Sequence, residues 1–208
     1  MSSTLESLHL HEFIRSRRSV RRFLPDPVPQ TVIERLLKTG TFASSAHNRQ
    51  PWRFAVLTTP KAKTRLADAM GAVFRRDLQA DGLPPDEIEK QVTRSHTRLC
   101  EAPIVIMLCL TMADMDTYPD EKRQHAEYLM ATQSVAMAGG TILLAAHAEG
   151  LGGVWVCAPL FAPDTVRRAL SLPLDWEPQG MLLLGYPAVQ PEARARKPIE
   201  QVAFFVES

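Results

Sequence analysis

Two hydrophobic patterns alternate along this chain, one returning every three or four residues and one running without a break. Leu8, Phe13 and Ile14 fall on roughly one side of a helix drawn over residues 5–16. Val32, Ile33, Leu36 and Leu37 repeat the pattern over 31–38, with Gly40 as a stop. Residues 53–58 read as a strand that breaks at Pro60. Helices are predicted at about 61–80 and 85–99, parted by a Gly/Pro turn at 81–85. The unbroken apolar run at 103–110 suits a strand buried on both faces. Residues 121–149 form one long predicted helix with few charges after Glu127. Its small-residue middle, 136–140, admits another helix or a flat ligand at close range, tight core packing being the plainer reading. Strands at 154–157 and 181–186 flank a helix near 163–170. A Pro- and Arg-rich exposed arm at 187–198 precedes a last short strand at 202–206.

Composition narrows what these elements build. With 208 residues, 45% hydrophobic and 23% charged, the chain can bury one sizeable core, so a single domain over 1–208 is expected. No apolar run approaches the roughly twenty residues of a membrane span, and the N-terminus lacks a signal layout. A cytoplasmic protein without a membrane partner is the expectation, with Cys100, Cys109 and Cys157 as free thiols.

Charge sharpens the picture. Lys and Arg total 24 against 23 Asp and Glu, a net +1, which argues against a nucleic-acid partner. Yet Arg15, Arg17, Arg18, Arg21 and Arg22 fall within eight residues. Concentrated charge in a neutral chain points to a local anion site, and arginine forks match phosphate oxygens. A solvated basic helix end is the plain alternative.

Familiar catalytic patterns are missing. Gly150, Gly152 and Gly153 follow a predicted helix instead of opening one, so they read as a turn and not a dinucleotide fingerprint. The six histidines show no metal-ligand spacing, and no Ser or Cys carries a nucleophile motif. No catalytic side chain and no metal ligand is assigned; such an enzyme takes its chemistry from a cofactor.

The stretch 17–21, followed by 44–52, by 146–158 and by 194–198, resembles the FMN-dependent nitroreductase superfamily over nearly the whole chain. Residues 75–78, 81–84, 118–120 and 172–178 resemble, within it, the C-terminal reductase domain of the bifunctional glutamate ligase of deazaflavin coenzyme biosynthesis. Here that domain is expected to stand alone. The resemblance implies an α+β fold, a central mixed sheet surrounded by helices, in an intertwined homodimer with FMN at the interface.

It further implies that Arg17, Arg18, Ser19, Val20 and Arg21 hold the FMN phosphate and ribityl chain, with Arg196 and Lys197 adding charge from the arm. Ser44, Ser45 and Ala46 would line one ring face from the partner subunit. Gly152, Gly153, Cys157 and Ala158 would follow the other side, Cys157 being in plain terms a buried strand residue. Trp52 and Tyr118 are candidates for shaping an acceptor pocket or, more plainly, for packing. NAD(P)H or a reduced deazaflavin would donate hydride through FMN to a nitroaromatic, a quinone or a dehydro-deazaflavin intermediate. Two alternatives stay open: an oxygen-dependent flavin-fragmenting enzyme, and a flavin-binding module without turnover.

Overall fold

The unbroken apolar run folds as strand β2, Ile104–Leu110, buried at all seven positions. It lies inside a four-stranded sheet with β1 (Trp52–Leu57), β3 (Gly152–Val156) and β4 (Glu177–Gly185), in the order β1-β2-β4-β3. The structure, a computed structural model, describes residues 2–206; residues 1, 207 and 208 of the expected domain lie outside the described residues.

Side chains alternate across β2 and create two cores. Ile104, Ile106, Leu108 and Leu110 face α2 (Gln30–Gly40) and α5 (Glu121–Ala148), which contribute Ile33, Leu36, Val135, Ala138 and Ile142. Val105, Met107 and Cys109 face the other way. There α3 (Pro60–Ala80), α4 (Pro85–Glu101) and α6 (Pro163–Leu170) bring Leu66, Leu99 and Val166. Helices therefore cover both faces of the sheet, the layering of an α+β protein. Thr59 caps α3 by accepting from the Ala62 amide at 3.3 Å, and Asp120 caps α5 from the Arg123 amide at 2.9 Å.

By length and composition α5 is apolar enough to cross a membrane, with a mean hydropathy of 1.5. Instead Ala131, Val135, Ala138, Ile142 and Ala146 are buried within the protein, so it is a core helix. Its glycine-rich middle packs tightly: a Cβ on Gly139 would lie 2.6 Å from Leu108 Cδ1 and against the Trp155 ring. The neighbour is the sheet, not another helix.

Several expectations change. All pairings between the named strands are antiparallel; the parallel component of the expected mixed sheet is one bridge, Ser19 to Gly153. β3 begins at Gly152 and not at Val154, and β4 begins at Glu177 and not at Met181. Glycine and proline mask both starts from a propensity reading. A register shift beside Leu108 and Cys109 accommodates Pro178 in the ladder. Residues 202–206 form no strand, pairing with no strand among the described residues; Phe204, Phe205 and Val206 stand 79–88% exposed. Much of the apolar side of α1 (Ser2–Ser16) is likewise uncovered, with Leu8 and Ile14 exposed and Phe13 packed on His147.

Candidate functional site

The arginine run is held as an extended segment along the outer edge of the sheet. The Val20 amide donates to the Gly153 carbonyl at 3.1 Å, and the Leu24 amide to Tyr186 at 2.8 Å. Val20 is buried directly over Gly152, where any Cβ would meet the valine side chain at 2.7–2.8 Å. That contact explains glycine at 152. A Cβ at Gly153 would strike Leu184 and Leu143 in the same way. Both glycines thus present only backbone to the surroundings.

This anchoring leaves the flanking guanidiniums free to gather. Arg17 and Arg18 are half-buried, and their hydrogen bonds go to backbone carbonyls: Arg17 to Arg18 at 3.1 Å, Arg18 to Arg15 at 2.6 Å. The Arg15 carbonyl lies in the last turn of α1, so Arg18 does the helix-end work foreseen as the plain reading. Neither meets a carboxylate among the described residues. Burial, then Arg18 and Arg196, push the Arg17 guanidinium below its ordinary range. The arm residue Arg196 is thus among the charges that act on Arg17. Lys197 is exposed and has no ion pair among the described residues.

His147, near the end of α5, completes this corner. Its Nε2 lies 2.7 Å from Ser16 Oγ, and its ring stacks on Phe13 with centroids 4.8 Å apart. Burial, then Arg17, hold it below the usual histidine value. Sequence reading did not single it out, since a lone histidine in an apolar helix carries no motif.

The second motif lies elsewhere. Ser44, Ser45 and Ala46 lead into a turn where His47, Asn48 and Gln50 adopt left-handed backbone angles, φ 49°, 55° and 51°. Each such non-glycine residue costs about 1–2 kcal/mol. The turn is held by ion pairs of Arg49 with Asp116 and Arg53 with Asp114, and by Gln50 N–H to Ser45 Oγ at 3.2 Å. The Ala46 amide donates to Ser134 Oγ at 3.3 Å, mid-way along α5. His147 stands thirteen residues further on, about 20 Å at 1.5 Å per residue. Within one chain, then, the Ser44–Ala46 turn and the arginine corner lie apart. Trp52 is a core residue, 5% exposed, and Tyr118 lies under the Arg123 guanidinium, 5.0 Å from the ring centre.

At the far end of β3 the Trp155 indole N–H points to Cys157 Sγ at 3.2 Å. Cys157 is exposed and lies one residue past the strand, which corrects the buried-strand reading. Ala158 lines the rim of a cavity of about 400 Å³ between α3, α4 and the 158–162 turn. Met70, Phe74, Leu78, Leu99 and Met181 make its apolar walls; Asp77, Asp81, Ser95 and His96 are its polar atoms.

Comparison with known proteins identifies the family and the fold. Residues 14–186 match the model of the nitroreductase family. The chain is 29% identical to an NADH dehydrogenase of Thermus thermophilus over 99% of this chain and 100% of that protein. It is 32% identical to a 5,6-dimethylbenzimidazole synthase of Rhodospirillum rubrum, over 82% of this chain and 78% of the relative. A structure from Desulfovibrio desulfuricans solved in complex with FMN superposes with a TM-score of 0.72 at 24% identity, covering 95% and 96% of the two chains.

Proposed function

The chain is an enzyme of the nitroreductase family, and on that premise we propose an FMN-dependent oxidoreductase that carries hydride from a reduced nicotinamide or deazaflavin donor to a small conjugated acceptor. The observation that carries this reading is the corner of Arg17, Arg18 and Arg196, cationic and without a carboxylate partner among the described residues. A phosphate dianion fits it, each charged hydrogen bond contributing about 1.5–3 kcal/mol. Bound there, FMN supplies the hydride chemistry.

The chain's own residues bind and orient. Arg17, Arg18, Arg196 and Lys197 take the phosphate, and Ser19, Val20 and Arg21 follow the ribityl chain. Gly152 and Gly153 offer backbone along β3, and Cys157 and Ala158 close that side. The cavity beside Ala158 receives a flat acceptor such as a nitroaromatic or quinone, its apolar walls excluding water. No side chain is assigned a proton-transfer role.

A second copy completes the site in this reading. Ser44, Ser45 and Ala46 stand about 20 Å along α5 from the arginine corner of their own chain. They serve the site of the partner in a cytoplasmic homodimer. A dehydro-deazaflavin acceptor rests on sequence likeness alone. Of the stretches that carry it, Arg75 pairs with Glu89, Asp120 caps α5, and Asp175 accepts from Thr111.

The likeness to the 5,6-dimethylbenzimidazole synthase supports one other reading, oxygen-dependent fragmentation of the flavin. The visible spectrum of the purified protein under anaerobic NADPH tests both. Flavin bands that bleach and return intact in air support the oxidoreductase. Flavin consumed in air supports fragmentation. A colourless protein that refuses FMN overturns both.

A further inference from the structure

Helices α3 and α4 run antiparallel, and their facing side chains pair off along a seam: Thr64 with Cys100, Asp68 with His96, Arg75 with Glu89. Residues 64 and 68 are one turn apart on α3, as 96 and 100 are on α4, so four side chains meet in one group. Cys100 Sγ lies 3.7 Å from His96 Nδ1 and 3.9 Å from Thr64 Oγ1, and further, at 4.0 Å, from His96 Nε2. Nε2 in turn lies 2.9 Å from Asp68 Oδ1. A carboxylate only accepts hydrogen bonds, so Asp68 takes the Nε2 proton and leaves the Nδ1 lone pair for the thiol.

We propose that this group makes Cys100 a modification site: a thiol that small hydroperoxides oxidise to a sulfenic acid, with His96 as base and Asp68 positioning it. Nδ1 draws the thiol proton as sulfur attacks one peroxide oxygen. The S–O bond forms as the O–O bond breaks. The departing oxygen collects the proton from the imidazolium and leaves as water, or as the alcohol from an alkyl peroxide. Sulfur loses two electrons and the peroxide gains them, so no other reactant is needed. The choice of a peroxide follows from the proton. Hydroxide and alkoxide are poor leaving groups unless protonated, and the imidazolium beside the sulfur supplies that proton. A disulfide, whose thiolate departs unaided, has no such need. Size agrees, since Cys100 is half-buried between two helices, where a small neutral oxidant reaches it.

A positive charge adjoins the group. Lys63 of α3 is buried and donates from Nζ to the Ala102 carbonyl at 2.6 Å, two residues past Cys100. Burial pushes that ammonium below its ordinary range and Cys100 acts the other way, so charge developing on the sulfur meets a cation. Neither other cysteine has such a group among the described residues. Cys109 is buried, and the exposed Cys157 accepts from the Trp155 indole N–H, a donor that takes no proton. The cavity lies on the neighbouring flank of α4, through Ser95 and Leu99, and shares only His96 with this group. Oxidation of Cys100 thus calls on none of the residues assigned to FMN.

The test uses Cys157→Ser, which leaves Cys100 and the buried Cys109, treated with hydrogen peroxide and trapped with dimedone. Mass spectrometry is expected to find the adduct on Cys100 and none on Cys109. Adding His96→Gln should slow its formation about tenfold or more at about pH 7. The deficit should shrink at about pH 9.5, where hydroxide removes the thiol proton without help. A structural change in the seam alone would slow both equally. Asp68→Asn, at an exposed position, should give a smaller loss with the same pH dependence, and it decides the matter if His96→Gln does not fold. No adduct on Cys100, equal rates with and without His96, or a deficit that is the same at both pH values overturns the site.

Discussion

His147 and Cys157 show what a side chain's surroundings do to chemistry that the residue type alone leaves open. Held below its ordinary 6.5 by burial and by Arg17, His147 favours the neutral form in the folded state. The unfolded chain binds the proton more readily, so this contribution is present above about pH 6.5 and is lost as pH falls below it. His147→Gln is therefore expected to lower the melting temperature more at about pH 7.5 than at about pH 5.5, which thermal scans at the two values check. The thiols should divide by exposure. Cys109 is buried in β2, its pKa pushed up to about 12, whereas Cys157 is exposed. A chromogenic disulfide reagent should find Cys157 first, and Cys157→Ser should remove the fast phase; a fast phase surviving that change would contradict the assignment. The arginine run was legible from residue counts, but the influence of Arg196 on Arg17 was not, because Arg196 lies far from it in sequence.

Among the elements, α5 was the easiest to read as a helix and the hardest to place. Its apolar residues go nearly all round, so periodicity names no face. Contacts do: Gly139 meets Leu108 and Trp155, whereas Gly140 has nothing within 4 Å of a Cβ. Gly139→Ala is expected to destabilise by about 1–3 kcal/mol through overpacking. Gly140→Ala should be neutral or slightly stabilising, since alanine is the better helix former by about 1 kcal/mol. Urea unfolding of the pair measures the difference. β2 was legible because it is buried on both faces and carries no polar interruption. The first residues of β3 and β4 were not. Gly152, Gly153, Pro178 and Gly180 are poor strand formers whose places are decided by Val20, Leu184 and the Trp155 ring. The missing final strand follows the same logic, since an edge needs a partner and no strand among the described residues pairs with 202–206.

At the scale of the molecule, one stretch of uncovered apolar side chains lies at the C-terminal end, past the arm. Ile199, Val202, Phe204, Phe205 and Val206 are 59–88% exposed. Burying such side chains is worth about 25 cal/mol per Å² of apolar surface, which a second copy would gain. Removal of residues 199–208 is expected to leave the body folded, because residues 202, 204, 205 and 206 are exposed there. In the proposed homodimer it should shift the protein to a monomer in light scattering and strip the FMN. A truncated protein that stays dimeric would remove residues 199–208 from the interface. The sequence by itself determined the order of helices and strands up to residue 186, the buried central strand, the position of the cationic run and the family resemblance, because these depend on local periodicity, composition and short motifs. Only the tertiary structure decided strand register and direction, the exposure of Cys157, the anchoring of the arginine run along β3, and the distance between the two motifs. Each of these depends on contacts between residues remote along the chain, and no local pattern encodes them.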